Sequence, residues 1–126
     1  MNLKGDNEMK KDPFYKSLSY AIEGIFNCIK KERNIKIHIL FMMLVILCGF
    51  LFQITYVEWL ICILLFGLVI SLELVNTSIE AVVDLCTQEF HPLAKLAKDT
   101  AAGAVLISAI AAAMIGLIIF IPKIFF

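Results

Sequence analysis

One stretch of the chain concentrates groups able to do acid–base and metal chemistry: Glu73-Leu-Val-Asn76-Thr77-Ser-Ile-Glu80-Ala-Val-Val-Asp84. At about 100° per residue of helix, Glu73, Asn76, Thr77, Glu80 and Asp84 fall within roughly a 100° arc. Leu74, Val75, Ile79, Val82 and Val83 take the remainder. The run follows an apolar segment, Val57 to Leu72, with no helix breaker between. A single helix is therefore expected to carry acidic groups out of an apolar medium into a polar one. A carboxylate at the apolar end must face protein or water, because an isolated charge there costs a few kcal/mol or more. One glutamate in such a place is most simply a polar helix end bonded to its neighbours. Two glutamates, an asparagine and an aspartate on one stripe point instead to function. Glu73 lies about 24 Å along the helix from Val57 at 1.5 Å per residue, inside a hydrocarbon layer of ~30 Å. Partial desolvation suits it to act as a general base on a membrane-embedded hydroxyl. Glu80, nearer water, is suited to stay ionised and share a hard cation with Glu32. Lys98-Asp99 adds a point charge fit for phosphate, although a lysine there also fits simple interfacial anchoring.

Other chemistries find no support. The six glycines are scattered, so no Gly-rich turn cradles phosphates, and any nucleotide must be held by metal and lysines. Neither His38 nor His91 has a serine or cysteine elbow; His38 is expected at the membrane interface and His91 at the start of a polar connection. The four cysteines, Cys28, Cys48, Cys62 and Cys86, show no CxxC or zinc spacing. Formal net charge is zero, which names no nucleic-acid partner.

The elements that must position these groups follow from hydropathy. Hydrophobic residues make up 61% of the 126, against roughly 45–50% in soluble domains, and a bilayer is the natural place to bury the excess. The start, long, polar and mixed in charge, does not resemble a secretory signal. Residues 1–12 are expected as a polar tail and 13–126 as a single membrane domain. Asp12-Pro13 reads as a helix start, Asp12 as N-cap and Pro13 in the first helical position. Phe14, Leu18, Ile22, Ile25 and Ile29 then form one apolar stripe. The stripe suits packing on protein, but its basic flanks favour an amphipathic surface helix over 13–33. Three spans follow, at about 36–53, 57–85 and 100–121, with Trp59 as an interfacial anchor and Thr87 to Lys98 as a polar connection.

Lys4, Lys10, Lys11, Lys16, Lys30, Lys31, Arg33 and Lys36 precede the first span, Lys95 and Lys98 lie in the second connection, and the first connection has no basic residue. The positive-inside rule places the N-terminus and the acidic stripe on the cytoplasmic side of the cell membrane. Ala104, Ser108, Ala112 and Gly116 recur every four residues, a small-residue face that permits close helix contact. Three spans are too few to enclose a site unaided, so a homo-oligomer is expected.

The run Glu73 to Asp84 resembles the signature of the prokaryotic diacylglycerol kinase family, and is complete at every polar position. HPLAKLAKD from His91 to Asp99, and Glu32 ahead of the first span, extend the similarity over nearly the whole chain. The resemblance implies a homotrimer of all-α membrane subunits, ATP as phosphate donor, Mg2+ as metal and a lipid alcohol as acceptor. It implies Glu73 as general base, Glu32 and Glu80 as metal ligands, and Asn76, Lys98 and Asp99 in the catalytic and phosphate neighbourhood. Tyr20 and the Glu89-Phe90-His91 segment would lie near the nucleotide. The stretch QEFHPLAKLAKD and the run RNIKIH from Arg33 to His38 are similar to the Gram-positive branch, which implies undecaprenol, with diacylglycerol second. A reading of another class, a small proton-coupled transporter or structural membrane subunit using Glu73, has against it that no polar path leads to the far side.

Overall fold

The computed structural model describes residues 12–126, so the tail expected over 1–12 lies outside the described residues except for Asp12. The described chain is all α: α1 Phe14–Lys31, α2 Arg33–Leu51, α3 Tyr56–Cys86 and α4 Pro92–Phe125. The last three are long and apolar enough to cross a membrane.

Helix α1 starts one residue later than expected. Pro13 occupies the N-cap position, its carbonyl accepts from Lys16 N at 2.9 Å, and no side chain caps the helix. Asp12 is therefore not the cap. The stripe residues Phe14, Leu18, Ile22 and Ile25 are exposed, so no described residue covers that face. Lys30 and Lys31 sit in the last turn of α1, where positive charge complements the helix dipole. The chain then breaks at a single residue, Glu32, in extended conformation, before α2 begins. Just past this corner Ile35 is fully buried.

The far end of α2 is closed by local geometry. Ile54 N bonds to Gly49 O at 3.1 Å, and Gln53 takes a positive φ of 50°. This is a Schellman ending, in which the residue after the cap must be left-handed. Here that residue is glutamine rather than glycine. Thr55 then caps α3 in a reciprocal box: its hydroxyl accepts from Glu58 N at 3.3 Å, and the Glu58 carboxylate accepts from Thr55 N at 3.1 Å. Trp59, expected as an interfacial anchor, lies over Gly49 and meets Phe50 in a tilted ring pair with centroids 5.0 Å apart.

Helices α3 and α4 share the main interface and run antiparallel. Cys62, Val69, Glu73 and Asn76 are buried on α3, and Ala101, Val105, Ser108 and Ile119 on α4, the spacing of a helix seam. Ion pairs close the hairpin at both ends: Lys98 with Asp84 near the connection, and Lys123 with Glu58 at 3.1 Å at the other. The expected polar connection over 87–98 is shorter than the sequence suggested. His91 Nδ1 accepts from Leu93 N at 3.1 Å and Pro92 occupies the first turn, so the helix starts there. The Lys95–Asp99 pair, one turn apart, supports the same turn. The small-residue face is not one seam: Ser108 is buried against α3, whereas Ala104 is exposed and Ala112 and Gly116 line a groove.

Two outcomes follow from the α2–α3 corner. Gln53→Gly should raise stability by about 1 kcal/mol, because glycine adopts the left-handed conformation without a Cβ penalty. Gly49→Val should lower it by roughly 1–3 kcal/mol by overpacking, since a Cβ at position 49 would sit 2.6 Å from the rigid Trp59 ring. Thermal unfolding midpoints in detergent measure both; an unchanged midpoint for Gly49→Val would contradict the packing at this corner.

Candidate active site

The acidic stripe of α3 is graded from buried to exposed along the helix. Glu73 is 2% and Asn76 8% exposed, Thr77 and Glu80 are half-buried, and Asp84 is exposed. The gradient arises because the first turns of the stripe pack against α2 and α4, while the last extend past α2 toward the connection.

Two side-chain contacts fasten the start of the chain to this stripe. Cys28 Sγ on α1 lies 3.3 Å from Thr77 Oγ1. His38 Nε2, on the second turn of α2, lies 3.1 Å from Glu73 Oε1. The segment between them contains Glu32, so Glu32 is carried on a corner held against the 73–77 stretch at both ends. His38 was expected only as an interfacial residue, and its pairing with the buried carboxylate was missed. A signal for it did exist: a histidine inside an apolar span needs a partner, and Glu73 is the carboxylate at matching depth.

Asn76 donates from Nδ2 to Glu80 Oε1 at 3.2 Å, while its Oδ1 is enclosed without a hydrogen-bond partner. Such an atom in a native interior requires an explanation. Its surroundings offer one, because Asn76 and Glu73 line a cavity of about 300 Å³ with Asn34, Ile37 and His38 from α2 and Ala102, Val105, Leu106 and Ala109 from α4. A carboxylate, an unpaired amide oxygen and a histidine thus meet at one hollow.

The remaining candidates are not gathered there. Lys98 reaches across to Asp84, one turn past Glu80, and the negative charges of Asp84 and then Glu80 act on its ammonium. Asp99, exposed, pairs with Lys95 on its own helix. Tyr20 and Phe90 are exposed, Glu89 lies in the connecting turn with its N–H bonded to Thr87 Oγ1, and His91 spends its Nδ1 as helix cap. None of these lines the Glu73 cavity. No group of three or more His, Cys, Asp or Glu side chains forms a ready metal cage among the described residues. The carboxylates present, Glu80 on α3 and Glu32 on the corner before α2, still suit magnesium. That ion takes one or two protein carboxylates and completes its shell with phosphates and water.

Comparison with known proteins places this geometry. The chain is 47% identical to the undecaprenol kinase of Bacillus subtilis (strain 168) over 118 residues, 94% of this chain and 96% of that protein. It is 41% identical to the diacylglycerol kinase of Synechocystis, over 84% of this chain and 61% of that protein. Against a diacylglycerol kinase of Helicobacter pylori (strain J99) it is 40% identical over 76% of this chain and 75% of the other. The family description "Prokaryotic diacylglycerol kinase" matches residues 19–120, from the second turn of α1 to the last turns of α4. A helical chain with three helices fit to span a bilayer, carrying the complete stripe, thus belongs to the prokaryotic diacylglycerol kinase family and is a membrane lipid kinase.

Proposed function

We propose that the chain transfers the γ-phosphate of MgATP to the hydroxyl of undecaprenol, with Glu73 as proton acceptor. The observation that carries the mechanism is the buried Glu73 carboxylate at the wall of a cavity, with only one of its oxygens engaged by protein. As the lipid oxygen bonds to the γ-phosphorus, its proton passes to Glu73, and the bond to the β-phosphate oxygen breaks to release ADP. A proton acceptor held in reach of the hydroxyl is worth about 10²- to 10⁴-fold in rate.

Glu32 and Glu80 would hold the magnesium, with Asn76 steadying the Glu80 carboxylate through its Nδ2. The ion supplies charge neutralisation at the transferring phosphate. Lys98 would bring its ammonium to the phosphates from the Asp84 clasp. Asp99, Tyr20 and the Glu89-Phe90-His91 segment would form the outer wall of the nucleotide site. For the acceptor, undecaprenol is favoured over diacylglycerol by the higher identity and fuller coverage shared with a protein named for undecaprenol.

The same reading puts the 85–100 connection and the N-terminus on the cytoplasmic side of the cell membrane, in line with the basic residues there and with ATP as donor. It lays α1 in the interface by its exposed apolar stripe, and it joins three copies into a trimer whose neighbours wall the open side of the site. A detergent-solubilised monomer that retained full activity would remove the trimer.

Glu73→Gln keeps shape and loses the base, and should reduce kcat by about 10²- to 10⁴-fold while leaving assembly unchanged. Transfer of labelled phosphate in mixed micelles measures it, and wild-type turnover in the variant would eliminate the assignment. Glu80→Gln and Glu32→Gln should instead raise the magnesium concentration needed for half-maximal rate, by roughly tenfold or more from the loss of a charged ligand. Rates on undecaprenol and diacylglycerol compared in the same micelles decide the acceptor; a strong preference for diacylglycerol would reverse the order.

A further inference from the structure

The Glu73 carboxylate has one hydrogen-bond partner among the described residues, His38, and its Oε2 has none. Its side chain is 3% exposed, against 21% for that of His38. The carboxylate accepts, so Nε2 carries the hydrogen and the ring is held in that tautomer. The cavity around the pair adds Asn76 from α3, Asn34 and Ile37 from α2 and only apolar side chains from α4. No second charge lines it. On its other side His38 borders an apolar groove of about 550 Å³ lined by α2, α3 and α4 and reaching Phe120. Among the side chains lining that groove, His38 is the one that bears a nitrogen or oxygen. The ring thus stands at the junction of a polar hollow and an apolar one, and no other hydrogen bond among the described residues orients the carboxylate.

We propose that His38 is the positioning residue of the proton acceptor: its Nε2–H anchors Oε1 of Glu73 and so presents Oε2 to the acceptor hydroxyl. This rests on Glu73 being the base. His38 keeps its own proton throughout. The hydroxyl proton goes to Oε2 as the lipid oxygen bonds to phosphorus and the nucleoside diphosphate leaves with its electron pair. A carboxylate free to turn would be misplaced by an ångström or more, and misplacement of that size costs up to about 10²-fold. The loss falls on kcat rather than on binding, because the side-chain hydrogen bond of His38 goes to Glu73 and not to Glu32, Glu80 or Lys98.

The donor geometry gives the test its discrimination. The amide nitrogen of glutamine lies close to where histidine places Nε2, whereas that of asparagine lies near Nδ1 and falls short of Oε1. His38→Leu should lower kcat roughly 10- to 100-fold, with both KM values within about twofold. His38→Gln should restore most of the rate and His38→Asn should not. In a Glu73→Gln background, adding His38→Leu should cost nothing further, as expected when one residue acts through the other. Unfolding midpoints and oligomer size, measured alongside, separate loss of fold from loss of positioning. Should the leucine variant fail to fold, the glutamine and asparagine pair decides. Equal kcat for His38→Gln and His38→Asn, or wild-type kcat for His38→Leu, overturns the proposal while leaving the base assignment standing. Wild-type turnover in Glu73→Gln itself would overturn the base assignment and the proposal built on it.

Discussion

A carboxylate removed from water is tolerated only where something polar meets it, and the architecture near Glu73 is arranged around that requirement. The side chain is buried between three helices. Its partner comes from α2, which must therefore lie at the right height and rotation to bring His38 within 3.1 Å. That placement fixes the corner before it, where α1 ends, Glu32 breaks the helix and Ile35 is fully buried. The Cys28–Thr77 contact holds the other side of the corner against the same face of α3. A single buried charge thus dictates how the first third of the described chain is attached to the rest.

The rest is built differently. Helices α3 and α4 form a hairpin with a continuous seam of small and medium side chains, Cys62, Val69, Val105 and Ser108 among them, and an ion pair at each end. Glu58 serves twice, closing the capping box of α3 through one oxygen and binding Lys123 at the end of α4 through the other. This hairpin is the most extensively joined part of the described chain, with its contacts spread along its length. Helices α1 and α2 are held by few contacts and leave apolar surface open, including the groove beside His38. A lipid kinase needs that division. On the proposed reading, Glu73, Glu80 and Lys98 sit on the hairpin, while the open side beside α2 would admit the lipid.

The small ligand set proposed for magnesium, Glu32 and Glu80, accords with the same physics. A complete protein cage would bury several carboxylates together, at high desolvation cost. On the proposed reading, two carboxylates, Glu80 and Glu32, would leave the remaining positions to phosphate and water.

Amphipathic period and hydropathy by themselves determined four helices, the three long apolar ones and the acidic stripe, since burial in a bilayer needs long uninterrupted runs and one helix turns side chains through a fixed angle. The stripe's gradient from Glu73 to Asp84 was legible for that reason, and the reaction class was legible through its resemblance to a known signature. Local capping was read less well. Asp12 does not cap α1, and the first two turns of α4 were taken as connection because Lys95, Lys98 and Asp99 look polar, although His91-Pro92 is a helix start and Thr55-x-x-Glu58 a capping box. Only the tertiary structure decided which polar groups meet. His38 and Glu73, Lys98 and Asp84, and Cys28 and Thr77 are each joined across two helices, and the rotation of one helix about its axis relative to another is set by packing, which no single helix's period encodes.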